Sequence, residues 1–225
     1  MSQSTIAATR QPGVTMADFA YEQLCQMLLT LVIAPGDPIR EEALMQELNI
    51  GRTPLREALK RLEIDKLVVS YPKRGTFATR VEISDLGYIS EIRQGLEPMA
   101  AARAARTANE ATREQLRELA REIEESDHSE SSTEQLLTFD SQVHRAIYSA
   151  CGNPHLEDSL VRYNNLGTRI WGSVADKLPH LTEHIKEHLD LLDAVIEGDA
   201  ERASKLSAEH VRAFEVALRD ALMSY

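Results

Sequence analysis

The sequence predicts a mainly α-helical protein in two parts: a short N-terminal part of three helices closed by a small β-hairpin, then an all-α bundle of about six helices. Three observations predict it. Ten glycines, eight prolines and 5% aromatic residues among 225 are too few turn formers and rings for a β-sandwich or barrel. Apolar residues recur at three- and four-residue spacing through most of the chain. Strand-forming residues gather in one place, Leu67–Thr79. With 43% hydrophobic and 27% charged residues, the composition is that of an ordinary globular chain long enough to bury a core.

Taken in order, residues 1–15 are polar, aperiodic and read as a flexible tail. They hold no apolar segment of a secretion signal, and no apolar run in the chain approaches the roughly eighteen residues that span a bilayer. Cys25 and Cys151 match no zinc or disulfide spacing. The expectation is a cytoplasmic protein without a membrane partner.

Met16–Leu31 is expected as a first helix, with Phe19, Leu24, Met27, Leu28 and Leu31 inward, stopped by Ala34-Pro35-Gly36-Asp37-Pro38. Glu41–Leu48 follows as a short helix with Ala43, Leu44 and Leu48 inward, and Asn49-Ile50-Gly51 turns the chain tightly. A third helix starts near Thr53-Pro54, since proline is tolerated in a first turn, and runs to about Ile64. Its core face is Leu55, Ala58, Leu59 and Leu62, while Arg52, Arg56 and Lys60 recur every four residues on another. Leu67–Ser70 and Thr76–Thr79 form a hairpin around the basic tip Tyr71-Pro72-Lys73-Arg74-Gly75. Three helices and a basic hairpin within residues 16–80 are the plan of a winged helix-turn-helix domain.

Residues 81–83 are read as a linker, and residues 84–225 as the all-α domain. Helices are expected over Ser84–Ala105, Ala111–Ser126, Thr133–Ala150, Pro154–Ser173, Leu178–Ile196 and Asp199–Met223, with Gly198 left-handed and Asp199 as an N-cap.

The net charge of −11 is unevenly spread. Residues 1–81 carry ten Lys/Arg against nine Asp/Glu, and residues 49–80 eight against three. A local basic patch, not the whole-chain average, is what meets a phosphate backbone. A helix-turn-helix puts the N-terminal end of its second helix into the major groove. Arg52 and Arg56 sit at that end, and arginine reads guanine through two hydrogen bonds. Thr53 can touch a phosphate or a thymine methyl; Arg40, Lys73 and Arg74 are placed for phosphates, and Gly75 lets the wing backbone approach the duplex.

In the second part, Asp140 and His144 leave one helix face together, His180, His184 and His188 form a stripe, and His210 lies on the last helix. Spacing leaves two readings open: ligands converging on one ion, or ordinary hydrogen-bonded and solvated histidines. His128, His155 and His180 are read as surface or turn residues, Trp171 as core and Asn153 as the shaper of a helix break.

The stretch PGDPIREEALMQELNIGRTPLREALKRLE, with Leu67-Val68 and the wing RGTF, resembles the DNA-binding domain of the GntR family over Tyr21–Thr79. The family pattern S-R-T-P-V-R-E-A-L stands here as G-R-T-P-L-R-E-A-L, and the resemblance puts Arg40, Arg52, Thr53, Arg56 and Gly75 on DNA-contacting positions. Two residues depart: Gly51 replaces a serine, and Lys66 replaces the glycine that usually ends the third helix. The segments EIRQGLEPMAAARAA, FDSQVHRAIYSACGNPHL and EHLDLLDAVIEGDAERASKLSAEH resemble the FCD ligand-binding domain of the FadR-type branch. That resemblance implies a divalent ion, zinc first and nickel or manganese next, on Asp140, His144, His188 and His210, with His184 competing one turn before His188. It also implies a small organic acid as effector, with Arg93 on its carboxylate; the local alternative for Arg93 is an ion pair with Glu97. The expectation is a regulator, not an enzyme: a homodimer on a pseudo-palindromic double-stranded operator, a repressor released by its effector. A regulator for which the ion itself is the effector, and more distantly a metal-dependent hydrolase, are the alternatives.

Overall fold

The computed structural model describes residues 13–125, 131–175 and 181–223. Among them are nine α-helices and one two-stranded antiparallel sheet, and the chain divides into two compact units, residues 1–80 and 81–225. No described helix is long and apolar enough to cross a membrane. His128, His180 and most of the expected tail lie outside the described residues.

The first unit holds α1 (Met16–Leu29), α2 (Glu41–Glu47), α3 (Arg52–Ile64), β1 (Val68–Tyr71) and β2 (Gly75–Ala78). Thr15 caps α1, its Oγ1 accepting the Asp18 N–H. Ala20, Leu24 and Leu28 of α1 and Leu55, Leu59 and Leu62 of α3 are buried, and these two helices pack on each other. Truncating such a leucine to alanine costs about 2–5 kcal/mol. In α2 only Leu44 is fully buried; Ala43, expected inward, is exposed, because a two-turn helix turns only a narrow face to its neighbour.

Both helix ends beside α3 are built by left-handed residues. Asn49 (φ +51°) follows α2 and lets the Ile50 N–H reach the Met45 carbonyl. Lys66 (φ +60°) follows α3; its N–H bonds the Glu63 carbonyl and that of Leu67 the Leu62 carbonyl. This is the double bond of a Schellman stop, normally made with glycine. It drops Leu67 into the core and starts the hairpin, whose register pairs Val68 with Ala78 and Tyr71 with Gly75. A third short edge, unforeseen from sequence, comes from Pro38, bridged to Phe77 and flanked by the bonds Ile39 N–H to Thr76 carbonyl and Ala78 N–H to Asp37 carbonyl. Proline is tolerated at such an edge.

The second unit opens with Val81, packed on the bundle core, and a 3-10 turn over Ile83–Asp85. Six helices follow: α4 (Leu86–Thr107), α5 (Glu110–Glu125), α6 (Thr133–Ala150), α7 (Pro154–Val174), α8 (Leu181–Glu197) and α9 (Ala200–Met223). Helix α4 is central, touching α6, α7, α8 and α9, and presents the small buried residues Ala100, Ala101, Ala104 and Ala105. The helix ends follow local chemistry. Ser132 and Gln135 form a capping box at α6, Asn153 Oδ1 accepts two N–H groups at α7, and Gly198 (φ +84°) stops α8. Arg113 of α5 donates to the carbonyls of Ala105, Ala108, Val195 and Ile196 at the ends of α4 and α8.

Candidate DNA-binding face and metal centre

In the first unit Arg52 opens α3, and Arg56 follows one turn later; both are exposed, as are Thr53 and Lys60. Gly51 is the N-cap and makes no side-chain cap bond, as the missing serine hydroxyl requires. Arg40 stands exposed at the N-cap of α2. At the wing tip Lys73 (φ +63°), Arg74 and Gly75 (φ +92°) are exposed, the Arg74 N–H closing the turn on the Tyr71 carbonyl. Gly75 is surrounded by open space, so its backbone conformation, not crowding, is what demands glycine. The predicted residues thus lie on the start of α3, the start of α2 and the wing, outside the core that the leucines form.

In the second unit three helices bring together four of the residues read from sequence. Asp140 and His144 come from α6, His188 from α8 and His210 from α9; all four are buried, and one donor atom of each lies within 4.8 Å of every other. Asp140 Oδ1 is 3.7 Å from His144 Nε2 and 3.6 Å from His188 Nε2, and the two Nε2 atoms are 3.4 Å apart. Two nitrogen or oxygen ligands of one zinc-like ion, each about 2.0–2.2 Å from it, stand at most about 4.4 Å apart, so Asp140 Oδ1 and the Nε2 atoms of His144 and His188 are close enough to share one.

Each of these imidazoles has its far nitrogen engaged. His144 Nδ1 lies 3.2 Å from the Tyr148 hydroxyl and 3.4 Å from Glu97 Oε2, His188 Nδ1 is 3.2 Å from the Ile185 carbonyl, and His210 Nδ1 is 3.2 Å from Glu187 Oε2. Such outer partners fix the tautomer that leaves Nε2 as a lone pair. Burial, reinforced by the neighbouring imidazoles, pushes His188 well below the ordinary histidine range and His210 down to about 4. Those two rings are therefore neutral at pH 7, the form that ligates a metal. Asp140 Oδ1 and His210 Nε2 are buried without a hydrogen-bond partner among the described residues. Buried acceptors left facing one another are costly, and a cation between them is what would satisfy both. The donor set fits a divalent ion.

Arg93, on α4, is 4% exposed and its Nε donates to Glu97 Oε1 at 2.5 Å, while the other Glu97 oxygen faces His144. Burial would raise the Glu97 carboxyl, but Arg93 and then His144 hold it well below the usual carboxylate range. Neither Nη of Arg93 makes a hydrogen bond with a described residue. The ion pair is thus present and leaves the outer edge of the guanidinium uncommitted within the described residues. Trp171 is buried, its ring edge-on to His184 and Phe214. His155 is exposed.

Sequence reading paired Glu97 with Arg93 but missed its second contact with His144, and it missed Tyr148 and Glu187. Each stands three or four residues from a group it serves, at Arg93, His144 and His184, so helical spacing carried a signal. What it lacked was the rotation of each helix about its axis.

Comparison with known proteins places both units. Residues 88–213 match the FCD domain, and residues 16–78 match the family described as "Bacterial regulatory proteins, gntR family". The HTH-type transcriptional regulator YdhC of Bacillus subtilis (strain 168) is 28% identical over 196 residues, covering 84% of this chain and 85% of that protein. The HTH-type transcriptional repressor RspR of Escherichia coli (strain K12) is 21% identical over 221 residues, covering 96% and 94%. Among solved structures, E. coli McbR/YncC superposes with a TM-score of 0.78 at 23% identity over 92% of this chain and 98% of its own. A GntR transcriptional regulator from Rhodococcus sp. RHA1 gives 0.69 at 19%, over 94% and 100%. At these identities the structural likeness is one of fold. The relatives are named as transcription regulators, not enzymes, and the chain belongs with them to the GntR family, in the branch whose second domain is an FCD domain.

Proposed function

We propose that this regulator is a repressor that binds a pseudo-palindromic operator as a homodimer and is released by a small organic acid bound beside a divalent ion in the FCD domain. The observation that carries the sensing half is the burial of Asp140 Oδ1 and His210 Nε2 without hydrogen-bond partners, in the middle of the four-donor cluster. Asp140, His144, His188 and His210 would hold the ion, zinc first, with nickel or manganese next. The ion would supply a Lewis-acidic positive charge that attracts a carboxylate.

The chain's own residues do the rest. Arg93 offers its two uncommitted Nη groups to a carboxylate, and Glu97 holds that guanidinium in place through Nε. In the first unit, Arg52 and Arg56 read base edges, with Thr53 beside them, while Arg40, Lys73 and Arg74 hold phosphates and Gly75 shapes the wing. An acid that prefers a dimer with the wrong half-site spacing lowers DNA affinity by the same coupling free energy that DNA imposes on the acid.

Selection of duplexes from a random pool, with metal-loaded wild-type protein and with Arg52→Ala, tests the reading. Enrichment of a short palindrome by the wild type and loss of base preference in Arg52→Ala is the expected result. The recovered duplex then serves to titrate metals, chelator and organic acids. An operator released by an acid supports the proposal; one that responds to the ion alone replaces the acid with the metal as effector. No enrichment by folded protein overturns it.

A further inference from the structure

The inner face of α7 carries hydrogen-bonding groups that no described residue uses. Asn164 is 1% exposed, yet neither Oδ1 nor Nδ2 of its amide has a hydrogen-bond partner among the described residues, and the same holds for the buried Trp171 Nε1. We propose that Asn164 is a specificity residue of the effector site and that the acid it selects carries a hydroxyl group. This deepens the acid-sensing reading above and rests on it.

Burial without partners sets Asn164 apart from its neighbours. Leaving both ends of a buried amide unmet is costly, and in folded proteins something normally meets them. Asn165, the next residue, is also buried and accepts from Arg145 Nη2 at 3.2 Å. The Thr168 hydroxyl, one turn on from Asn164, donates at 3.0 Å to its main-chain carbonyl and leaves the amide alone.

Helical geometry places this amide beside Arg93. Asn164 and Trp171 are seven residues apart and about 20° from a common face, with Gly167 between them about 60° from Asn164. A Cβ on Gly167 would stand 3.0 Å from Arg93 Nη1, so the absent side chain lets the guanidinium lie against α7. Arg103 of α4 donates to the Cys151 carbonyl just before α7 starts, whereas Arg93 meets α7 well along its length, so the two helices run antiparallel. One turn back from Gly167 on α7 is therefore one turn forward on α4, and Asn164 stands level with the stretch between Arg93 and Glu97. Trp171 bounds the other end. The Phe214 ring lies 5.1 Å from the indole and 5.8 Å from the Arg93 guanidinium, and His184, outside the four-donor group, stacks on it at 4.9 Å.

The chemistry of the amide selects the partner. Its Nδ2 donates and its Oδ1 accepts. A second carboxylate or a ketone offers acceptors only, and would leave Oδ1 unmet; an alkyl chain meets neither end. A carboxamide meets both ends only edge to edge in one plane. A hydroxyl is the small neutral group that serves either end from any direction, and two on adjacent carbons serve both. With the carboxylate on Arg93 Nη, a hydroxylated chain would run along α7, where Trp171 Nε1 offers one more donor to an oxygen.

The test uses the full chain with zinc added, binding being read by calorimetry and stability by thermal melting. The probes are propionate, pyruvate and lactate; succinate, succinamate and malate; hexanoate and gluconate. In at least one set the hydroxy acid is expected to bind about 10–100-fold more tightly than the unsubstituted acid, and more tightly than the keto or amide acid of its set. In Asn164→Leu, which has an apolar side chain of similar size, that ratio should fall to near one. Its melting temperature without acid should stay or rise, because the amide it replaces bonded nothing. Unsubstituted acids that bind the wild type as well as their hydroxy counterparts overturn the inference and leave the acid reading standing. So does succinamate binding more tightly than malate, which puts a carboxamide in place of the hydroxyl. A preference that survives Asn164→Leu belongs to chelation of the ion and overturns it too, as does an Asn164→Leu protein that melts lower or does not fold, since the amide then serves the fold. No binding of any acid by folded wild type removes the acid reading and this inference together.

Discussion

Lys66 holds a left-handed backbone with a side chain that gains nothing from it. That conformation costs a residue with a Cβ roughly 1–2 kcal/mol, part of which glycine returns as chain entropy. Lys66→Gly is therefore expected to stabilise the first unit by about 0.5–1 kcal/mol. A higher denaturant midpoint at unchanged slope would show it, and an unmoved midpoint would mean that the lysine stem is packed well enough to offset the strain. Departure from the family pattern at this residue was legible in the sequence, but the outcome was not, because a lysine there could equally have altered the path into the hairpin. On the DNA side, two kinds of residue separate. Lys73 sits exposed on the wing tip, and on the proposed reading it meets phosphate and not a base edge. Lys73→Ala should weaken binding equally across sequences and reduce the salt slope by about one. A change in base preference would instead place Lys73 in a groove.

Helix ends in the second unit depend on a single side chain to an unusual degree. The last carbonyls of a helix have no partner within it, and the dipole favours a cation there. Arg113 serves two such ends, α4 through Ala105 and Ala108 and α8 through Val195 and Ile196. Gly198, left-handed at the end of α8, leaves room for it; a Cβ there would stand 3.4 Å from Arg113 Nη2. Removing the guanidinium strands several carbonyls at once, and Arg113→Ala should cost the second unit about 2–3 kcal/mol, read as a lower midpoint for α-helix loss while the first unit keeps its own. Two separate transitions that both shift would contradict this assignment. The helices themselves were largely legible: α6 is bounded as expected, and the others differ by one to three residues at their described ends. Periodicity and cap residues are local signals, so they survive without the fold. The Arg113 clamp and the Pro38 edge strand were not legible, because each joins segments far apart in sequence by bonds that leave no period.

At the scale of the whole chain, the same division between local and distant signals governs the candidate site. Asp140 and His144 share a helix face and could be paired by spacing, whereas the convergence of His188 and His210 needed the resemblance, and only the E-H…G-D context favoured His188 over His184. The structure turns both of the latter toward Asp140. An ion that binds the folded bundle and not the open chain stabilises it by about 2.7 kcal/mol at a hundred times its dissociation constant. Zinc or nickel should therefore raise the melting temperature of the wild type and leave that of Asp140→Asn where it was; equal shifts would place the ion elsewhere. The order in which the chain is made gives the cluster another meaning. Its donors come from α6, α8 and α9, and α4 packs more extensively on α9 than on any other helix. During synthesis the DNA-reading unit is complete once residue 80 has left the ribosome, while the FCD unit waits for more than a hundred further residues, with the part of α4 that packs on α9 uncovered until α9 arrives. A stop codon between α8 and α9 would not merely remove a helix: it would release a reading head whose second domain had never closed.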